Sequence, residues 1–203
     1  TKNANSTICG GCYNKIYGAC SCNSVISGGY NNYILQTGTE QSYGSDVISG
    51  GGDNQIKSSC TTGGNVVSGG YNNCIIDEKP ADTGRLYNNT ISGGRCSSIL
   101  TTYGNSQMNV IAGGSYNYIC ESATGNTIIG NNNEFDSREN GDMCYNISVG
   151  AFNDIDTGRL GGGIAHGNIL TGSELTVRAV GYDAYTCYNN ISGYNSSVKT
   201  CGG

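Results

Sequence analysis

Tryptophan is absent, proline (Pro80) and histidine (His166) occur once each, phenylalanine occurs twice, and only 12% of the 203 residues are charged. No run of apolar residues approaches the ~18 that a spanning helix needs, so no membrane insertion is expected. No stretch sustains apolar residues at i, i+3, i+4 and i+7, and Ile, Val, Thr, Asn and Gly dominate, which disfavours helix throughout. The ten Lys and Arg are scattered rather than gathered into a basic stripe, and the net charge is −5. Nucleic acid is therefore not an expected partner, since a strand or duplex binder must displace counterions with clustered cations. The 34 glycines lack the Gly-X-Y period of collagen, and regular apolar ranks argue against disorder. The chain opens at Thr1 with neither methionine nor a signal-like segment, so a processed or excerpted piece is expected.

What is present is a phrase that returns. Ser24-Val25-Ile26-Ser27-Gly28-Gly29-Tyr30-Asn31-Asn32-Tyr33-Ile34 is echoed by Val47-Ile48-Ser49-Gly50-Gly51, Val66-Val67-Ser68-Gly69-Gly70-Tyr71-Asn72-Asn73, Thr90-Ile91-Ser92-Gly93-Gly94 and Val110-Ile111-Ala112-Gly113-Gly114. Repetition at a short period is the mark of a solenoid. With the second glycine as anchor, the units fall at Gly11, Gly29, Gly51, Gly70, Gly94, Gly114, Gly130, Gly150, Gly167, Gly181 and Gly193, at intervals of 12 to 24 residues. Five residues past the anchor stand Ile16, Ile34, Ile56, Ile75, Ile99, Ile119, Phe135, Ile155 and Val198, whereas the Gly167 and Gly181 units offer Gly172 and Thr186. A fixed offset within a variable interval means that the local geometry is kept and surplus residues leave as loops.

The β-branched Val-Ile-Ser segments read as strands. The Gly-Gly-x-Asn-Asn that follows reads as a corner, because Gly and Asn tolerate positive φ and Asn bonds nearby backbone. A second short strand then turns its apolar residue inward, and stacked coils spaced by about 4.8 Å align these residues in one column. The reading is an all-β, parallel β-solenoid (β-roll or β-helix). A slender monomer of glycine-rich chain is marginal, because ordering costs about 1–2 kcal/mol per residue. An elongated homotrimer that seals exposed edges is the expected remedy. Residues 1–124 form a regular Gly-Gly solenoid. From 125 to 203 the solenoid continues with shorter, modified repeats, a tip or neck, because the residue before the anchor there becomes Ile129, Val149, His166, Val180 or Ser192.

The eleven cysteines keep no constant offset from the anchors, so no disulfide ladder is expected and most read as small buried hydrophobes. Cys9, Cys12, Cys20 and Cys22 form the one local cluster, with spacing only half suited to zinc.

The units Asn23 to Asn32, Asn65 to Asn73, Asn89 to Gly94 and Asn109 to Asn117 resemble the head repeats of bacterial trimeric autotransporter adhesins, and they look like repeats of phage tail fibres. The resemblance spans residues 6 to 198. It implies a trimeric parallel β-roll displayed outside a cell or virion, which binds surface glycans, matrix proteins or receptors, with no catalytic residue and no cofactor.

Candidate sites follow. Tyr30, Tyr71, Tyr116 and Tyr194 sit one or two residues past an anchor, where a ring with a polar tip suits stacking on sugars or contact with a partner. His166 replaces a pre-anchor glycine, and three copies about a threefold axis could hold a metal. The structural anchors are Gly29, Gly51, Gly70, Gly94 and Gly114 with Ile34, Ile56, Ile75, Ile99 and Ile119. Asp77-Glu78-Lys79 and Asp136-Ser137-Arg138-Glu139 read as solvated loops, and Asp82-Thr83-Gly84-Arg85-Leu86, which recurs as Asp156-Thr157-Gly158-Arg159-Leu160, as one loop shape used twice. The expected function is non-enzymatic attachment to a cell-surface glycan or receptor by an extracellular or virion-surface fibre, the partners being the other copies of the chain and that surface. A self-assembling structural filament is the alternative, with a polysaccharide-degrading β-helix or an ice-binding solenoid behind it.

Overall fold

In the computed structural model the protein is an all-β solenoid of parallel strands, with no helix among the described residues. Those residues are 5–18, 23–36, 45–58, 63–77, 85–101, 105–113, 115, 117–119, 123–132, 134–136, 143–144, 147–150, 152, 154–156, 164–166, 169–174, 176–180, 185–187, 190–195 and 197–201.

The first sheet has ten strands. They are Thr7–Ile8, Val25–Ile26, Val47–Ile48, Val66–Val67, Thr90–Ile91, Val110–Ile111, Thr127–Ile128, Ile147–Ser148, Ile169–Thr171 and Asn190–Ser192. The second, also ten-stranded, is Lys15–Gly18, Tyr33–Gln36, Gln55–Ser58, Cys74–Asp77, Ser98–Thr101, Tyr118–Ile119, Glu134–Asp136, Asp154–Asp156, Thr176–Val180 and Ser197–Cys201. Strands of the two sheets alternate along the chain, so each coil adds one strand to both.

Register places like residues opposite like. Ile26 pairs with Ile48, Ile48 with Val67 and Ile91 with Ile111, while Ile34 pairs with Ile56 and Ile56 with Ile75. Ile26, Ile48, Val67, Ile91, Ile111 and Ile128 from the first sheet, and Ile34, Ile56, Ile75 and Ile99 from the second, are fully buried. Each contributes about 1.5–3 kcal/mol by burial. Ile119 continues the second rank in register, between Ile99 and Phe135.

Between these apolar ranks run two ladders of buried asparagine. In the corner ladder the main-chain N–H and the amide Nδ2 of Asn54 both donate to Asn32 Oδ1 at 3.1 Å, and Asn54 Nδ2 also reaches the carbonyls of Gly50 (2.9 Å) and Gly70 (3.2 Å). Asn73 N donates in turn to Asn54 Oδ1 at 3.1 Å. Ahead of the first sheet Asn65, Asn89, Asn109 and Asn126 repeat the arrangement, each donating to the Oδ1 of the residue one coil earlier. A side chain that accepts from the next coil and donates to the previous one satisfies polar groups that water cannot reach.

Three expectations are corrected. The register carries Gly150 onto Gly172 and Gly172 onto Gly193: a Cβ built on Gly150 would meet the carbonyl of Gly172, and one on Gly172 the carbonyl of Gly193. Gly167 and Gly181 lie outside the described residues, and Gly172, not they, holds the anchor position. Its partner five residues on is Val177, in register with Ile155 and Val198, so a large apolar residue stands at that offset in every unit, and the last units, from Gly150 to Gly172 and on to Gly193, are not shorter than the early ones. Second, the recurring Asp-Thr-Gly-Arg-Leu runs occupy different places, because Arg85 and Leu86 lie in a strand of the third sheet whereas Asp156 lies in the second. Third, the four cysteines Cys9, Cys12, Cys74 and Cys96 depart from the expectation of small buried hydrophobes. Cys9 and Cys12 are exposed, Cys74 and Cys96 half-buried, and none of the four is in a disulfide. They fall at a corner or on the outer side of a strand, where the pleat points away from the aliphatic rank.

A third sheet joins midway. Its six strands are Arg85–Tyr87, Asn105–Gln107, Ala123–Thr124, Met143–Cys144, Ile164–His166 and Tyr185–Cys187. The corner also contracts. Eight residues separate the core positions of Ile26 and Ile34, but seven separate those of Ile128 and Phe135.

Candidate surface-binding groove

At each described corner the residue two past the anchor is left-handed: Tyr13 (φ 58°), Asn31 (52°), Asp53 (54°), Asn72 (55°) and Cys96 (60°) in the early coils, and Asn132 (56°), Phe152 (59°), Glu174 (59°) and Asn195 (53°) later. The chain reverses there, so the residue just before it, one past the anchor, projects outward. In that column Cys12, Tyr30, Gly52, Tyr71, Arg95 and Ser115 pair in parallel, coil to coil. Tyr30 and Tyr71 are thus brought to one edge, about half exposed at 54% and 50%. Tyr194 is on the same kind of corner far along the chain, and Tyr116 lies outside the described residues.

The outer face of the second sheet meets this edge. Ile16 and Ile34 hold the core positions, so alternation turns Lys15 and Tyr17 outward on one strand and Tyr33 outward on the next, with Lys15 in register with Tyr33 and Tyr33 with Gln55. Face and corner enclose an open groove of about 810 Å³ lined by Tyr13, Lys15, Tyr17, Asn31, Tyr33, Asp53, Asn54, Gln55, Tyr71 and Asn72. Of the tyrosines expected from sequence, Tyr71 lines it. Tyr30 supports its rim through an edge-to-face contact with Tyr13, with centroids 5.6 Å apart at 84°. Tyr194 is separate, beside Gly172, Ser173 and Gly193. Tyr13, Tyr17, Tyr33 and Lys15 are not singled out by the repeated phrase, although the offsets of one and three residues to either side of the inward isoleucine mark them.

Polar contacts fix the groove floor. Asp53 accepts from Asn31 Nδ2 at 2.7 Å and from the Tyr71 hydroxyl, and that bond to a carboxylate raises the Tyr71 pKa above its ordinary value of 10.0. The Arg95 guanidinium lies 6.0 Å from the Tyr71 ring centroid. Gly52 leaves room beneath that ring, since a Cβ there would come within 3.3 Å of it. Aromatic faces, a carboxylate, four carboxamides and an ammonium can together take up a polar ligand with flat, weakly apolar faces.

His166 lies in the third sheet, in register with Cys144 and Cys187. Cys20 and Cys22 lie outside the described residues, as does Gly114. Among the described residues no group of three His, Cys, Asp or Glu stands as a metal site.

One buried carboxylate interrupts the ladder before the first sheet. Asp46 is fully buried where the following coils carry asparagine. Its Oδ1 accepts from the N–H and Nδ2 of Asn65, and its Oδ2 from Gln36 Nε2 at 2.6 Å. Desolvation pushes its pKa above the ordinary 3.8 despite these bonds. Gln36 Oε1 is buried without a hydrogen-bond partner.

No protein-family model matches the chain, and neither the curated proteins nor the solved structures give a match.

Proposed function

We propose that the chain is a non-enzymatic segment of a surface-exposed fibre or head, of the adhesin or tail-fibre kind that its repeats resemble, and that it attaches to surface glycans through the tyrosine groove. The observation that carries this reading is the groove itself, where four tyrosines converge with Lys15, Asp53 and four carboxamides. Aromatic rings stack on the apolar faces of sugars while amides and carboxylates bond their hydroxyls. Several chains presenting such grooves together would add weak contacts into avidity.

Self-association, as an elongated homotrimer, belongs to the same proposal. Ile129, Ile147, Val149 and Phe152 stay 37–51% exposed on neighbouring coils, an aliphatic patch suited to contact with other copies. Saturation-transfer NMR of the intact chain with a panel of oligosaccharides tests the glycan reading. Tyr33→Ala and Tyr71→Ala are each expected to weaken binding by about tenfold. An intact chain that binds no glycan on a broad panel overturns it, and a monomeric mass in light scattering overturns the trimer.

A further inference from the structure

The tyrosine groove has a direction. In the corner column Cys12 pairs with Tyr30, Tyr30 with Gly52 and Gly52 with Tyr71, so three coil spacings, about 14 Å, separate the coil of Lys15 from that of Tyr71. Each of these coils contributes to the lining. The groove therefore runs along the stack and has the length for a short oligosaccharide rather than a single ring. Its two ends differ in charge. At one end stands Lys15, exposed, in register with Tyr33 and on the same strand as Tyr17. Its ammonium makes no ion pair or hydrogen bond with any described residue. Towards the other end Asp53, the one carboxylate of the lining, already accepts from Asn31 Nδ2 at 2.7 Å and from the Tyr71 hydroxyl. The negative charge is tied into the floor, while the positive charge is uncommitted.

We infer that the groove selects an acidic oligosaccharide, with a carboxylate of the ligand on Lys15 and a sugar ring laid on Tyr71. This rests on the glycan reading above and narrows it to a class of ligand and an orientation. A ligand that fills the groove strips water from the Lys15 ammonium. A neutral sugar leaves that cation short of solvation, whereas an anion replaces the lost water with a charge-assisted hydrogen bond. Asp53 offers no such relief, since it sits two coil spacings away, about 9.6 Å, and is bonded to its own neighbours. The same carboxylate repels an acidic group placed at the Tyr71 end, which fixes the direction of the ligand. The Tyr71 ring there suits a sugar face, and the carboxamides of Gln55 and Asn72 can bond its hydroxyls.

The test is a ligand-observed NMR titration of the intact chain with matched pairs: sialyllactose against lactose, and an oligogalacturonate against the same oligomer with its carboxyls reduced. The acidic member should bind about twofold to fivefold tighter, the scale of an exposed ion pair, and added NaCl should erase the difference. Lys15→Gln should remove the preference and keep the affinity for the neutral member, whereas Lys15→Arg should retain both. Lys57→Gln, on the second sheet but outside the groove lining, should change neither. Tyr71→Ala should weaken both members alike. Monomeric galacturonate should bind more weakly than the oligomer, because it reaches only one end. Neutral members bound as tightly as acidic ones, a preference that survives Lys15→Gln, or a monomer bound as tightly as the oligomer would each overturn this inference and leave the glycan reading standing. Binding of no member of either pair, and of nothing on the broad panel, would overturn both.

Discussion

The coils up to Asp77 and those from Thr127 onward stack the same two sheets on different corners. In the early coils two glycines turn the chain, the second of them left-handed at Gly11, Gly29, Gly51 and Gly70 (φ 84° to 89°), and a ladder asparagine ties the corner to the next coil. In the late coils the turn is one residue shorter. Ile129 and Val149 stand at 45% and 40% exposure in the column where the early coils expose Ser27, Ser49 and Ser68. The left-handed residue that follows is common to both, from Asn31 at 52° to Phe152 at 59°. The coil is therefore specified by the aliphatic column and that reversal, while the double glycine is one of two ways to reach it. The third sheet, whose described strands begin at Arg85, adds a further row of coil-to-coil pairing to the later coils.

The comparison breaks hardest at Gly51. A Cβ there would fall on the carbonyl of Gly70 and close to the Asn54 amide, and φ is 84°. Gly51→Ala is expected to cost at least about 3 kcal/mol, strain and clash together. Gly50→Ala, where a Cβ meets nothing within 4 Å, should cost markedly less despite its positive φ. Urea unfolding of both variants measures the difference, and equal costs would mean that the column does not depend on close backbone approach.

Asn54→Ala comes next. It removes donors to Asn32 Oδ1 and to the Gly50 and Gly70 carbonyls, and it leaves Asn73 N without its acceptor. Unmet buried groups cost about 1–3 kcal/mol each, partly offset by local rearrangement, so about 2–3 kcal/mol overall is expected. Hydrogen exchange should locate the loss at the amides of 50–54 and 70–73.

Much of this was written in the sequence, though unevenly. The isoleucine five residues past each glycine is legible because apolar side chains that recur at a constant offset from a bend must face a common interior. The asparagine ladders are not legible, because one residue type does two jobs side by side. Asn31 and Asn72 are exposed and left-handed, whereas their neighbours Asn32 and Asn73 are buried and extend the ladder. Both read as turn residues. The third sheet gives no signal either, since Asn105-Ser106-Gln107 carries no apolar alternation and forms a strand only because Arg85–Tyr87 lies beside it. At the groove, tyrosine excess pointed to corners, but Tyr17 and Tyr33 reach the site from a strand face that only the alternation about Ile16 and Ile34 reveals.

Asp46 sharpens the contrast within the early region, since Asn65, Asn89 and Asn109 occupy its place in later coils. Its folded pKa is raised above 3.8, so its favourable contribution is present in full below that value and is lost as pH rises through the folded pKa. Asp46→Asn keeps the Oδ1 acceptor for Asn65 and removes the buried charge. It should match the parent near pH 3.5 and exceed it by about 1–2 kcal/mol at pH 7.5, the scale of a buried polar mismatch. Unfolding curves at the two pH values check the sign, and a gain that is the same at both would remove ionisation as its cause.

The smallest effect tests what the two regions share. Phe152 holds the left-handed corner position at φ 59° and is 51% exposed. Within one chain an aromatic side chain gains little burial there and is strained by close approach of its Cβ to the following carbonyl, whereas asparagine tolerates this conformation. Phe152→Asn should therefore stabilise the late coils of the dilute single chain by about 0.5–1 kcal/mol. The reverse change at the equivalent early corner, Asn31→Phe, should cost more than that gain, because it also removes the 2.7 Å bond from Asn31 to Asp53 at the groove floor. Thermal unfolding of the two variants measures this asymmetry. Equal and opposite shifts would mean that backbone conformation alone sets the preference and that the Asn31–Asp53 bond adds nothing.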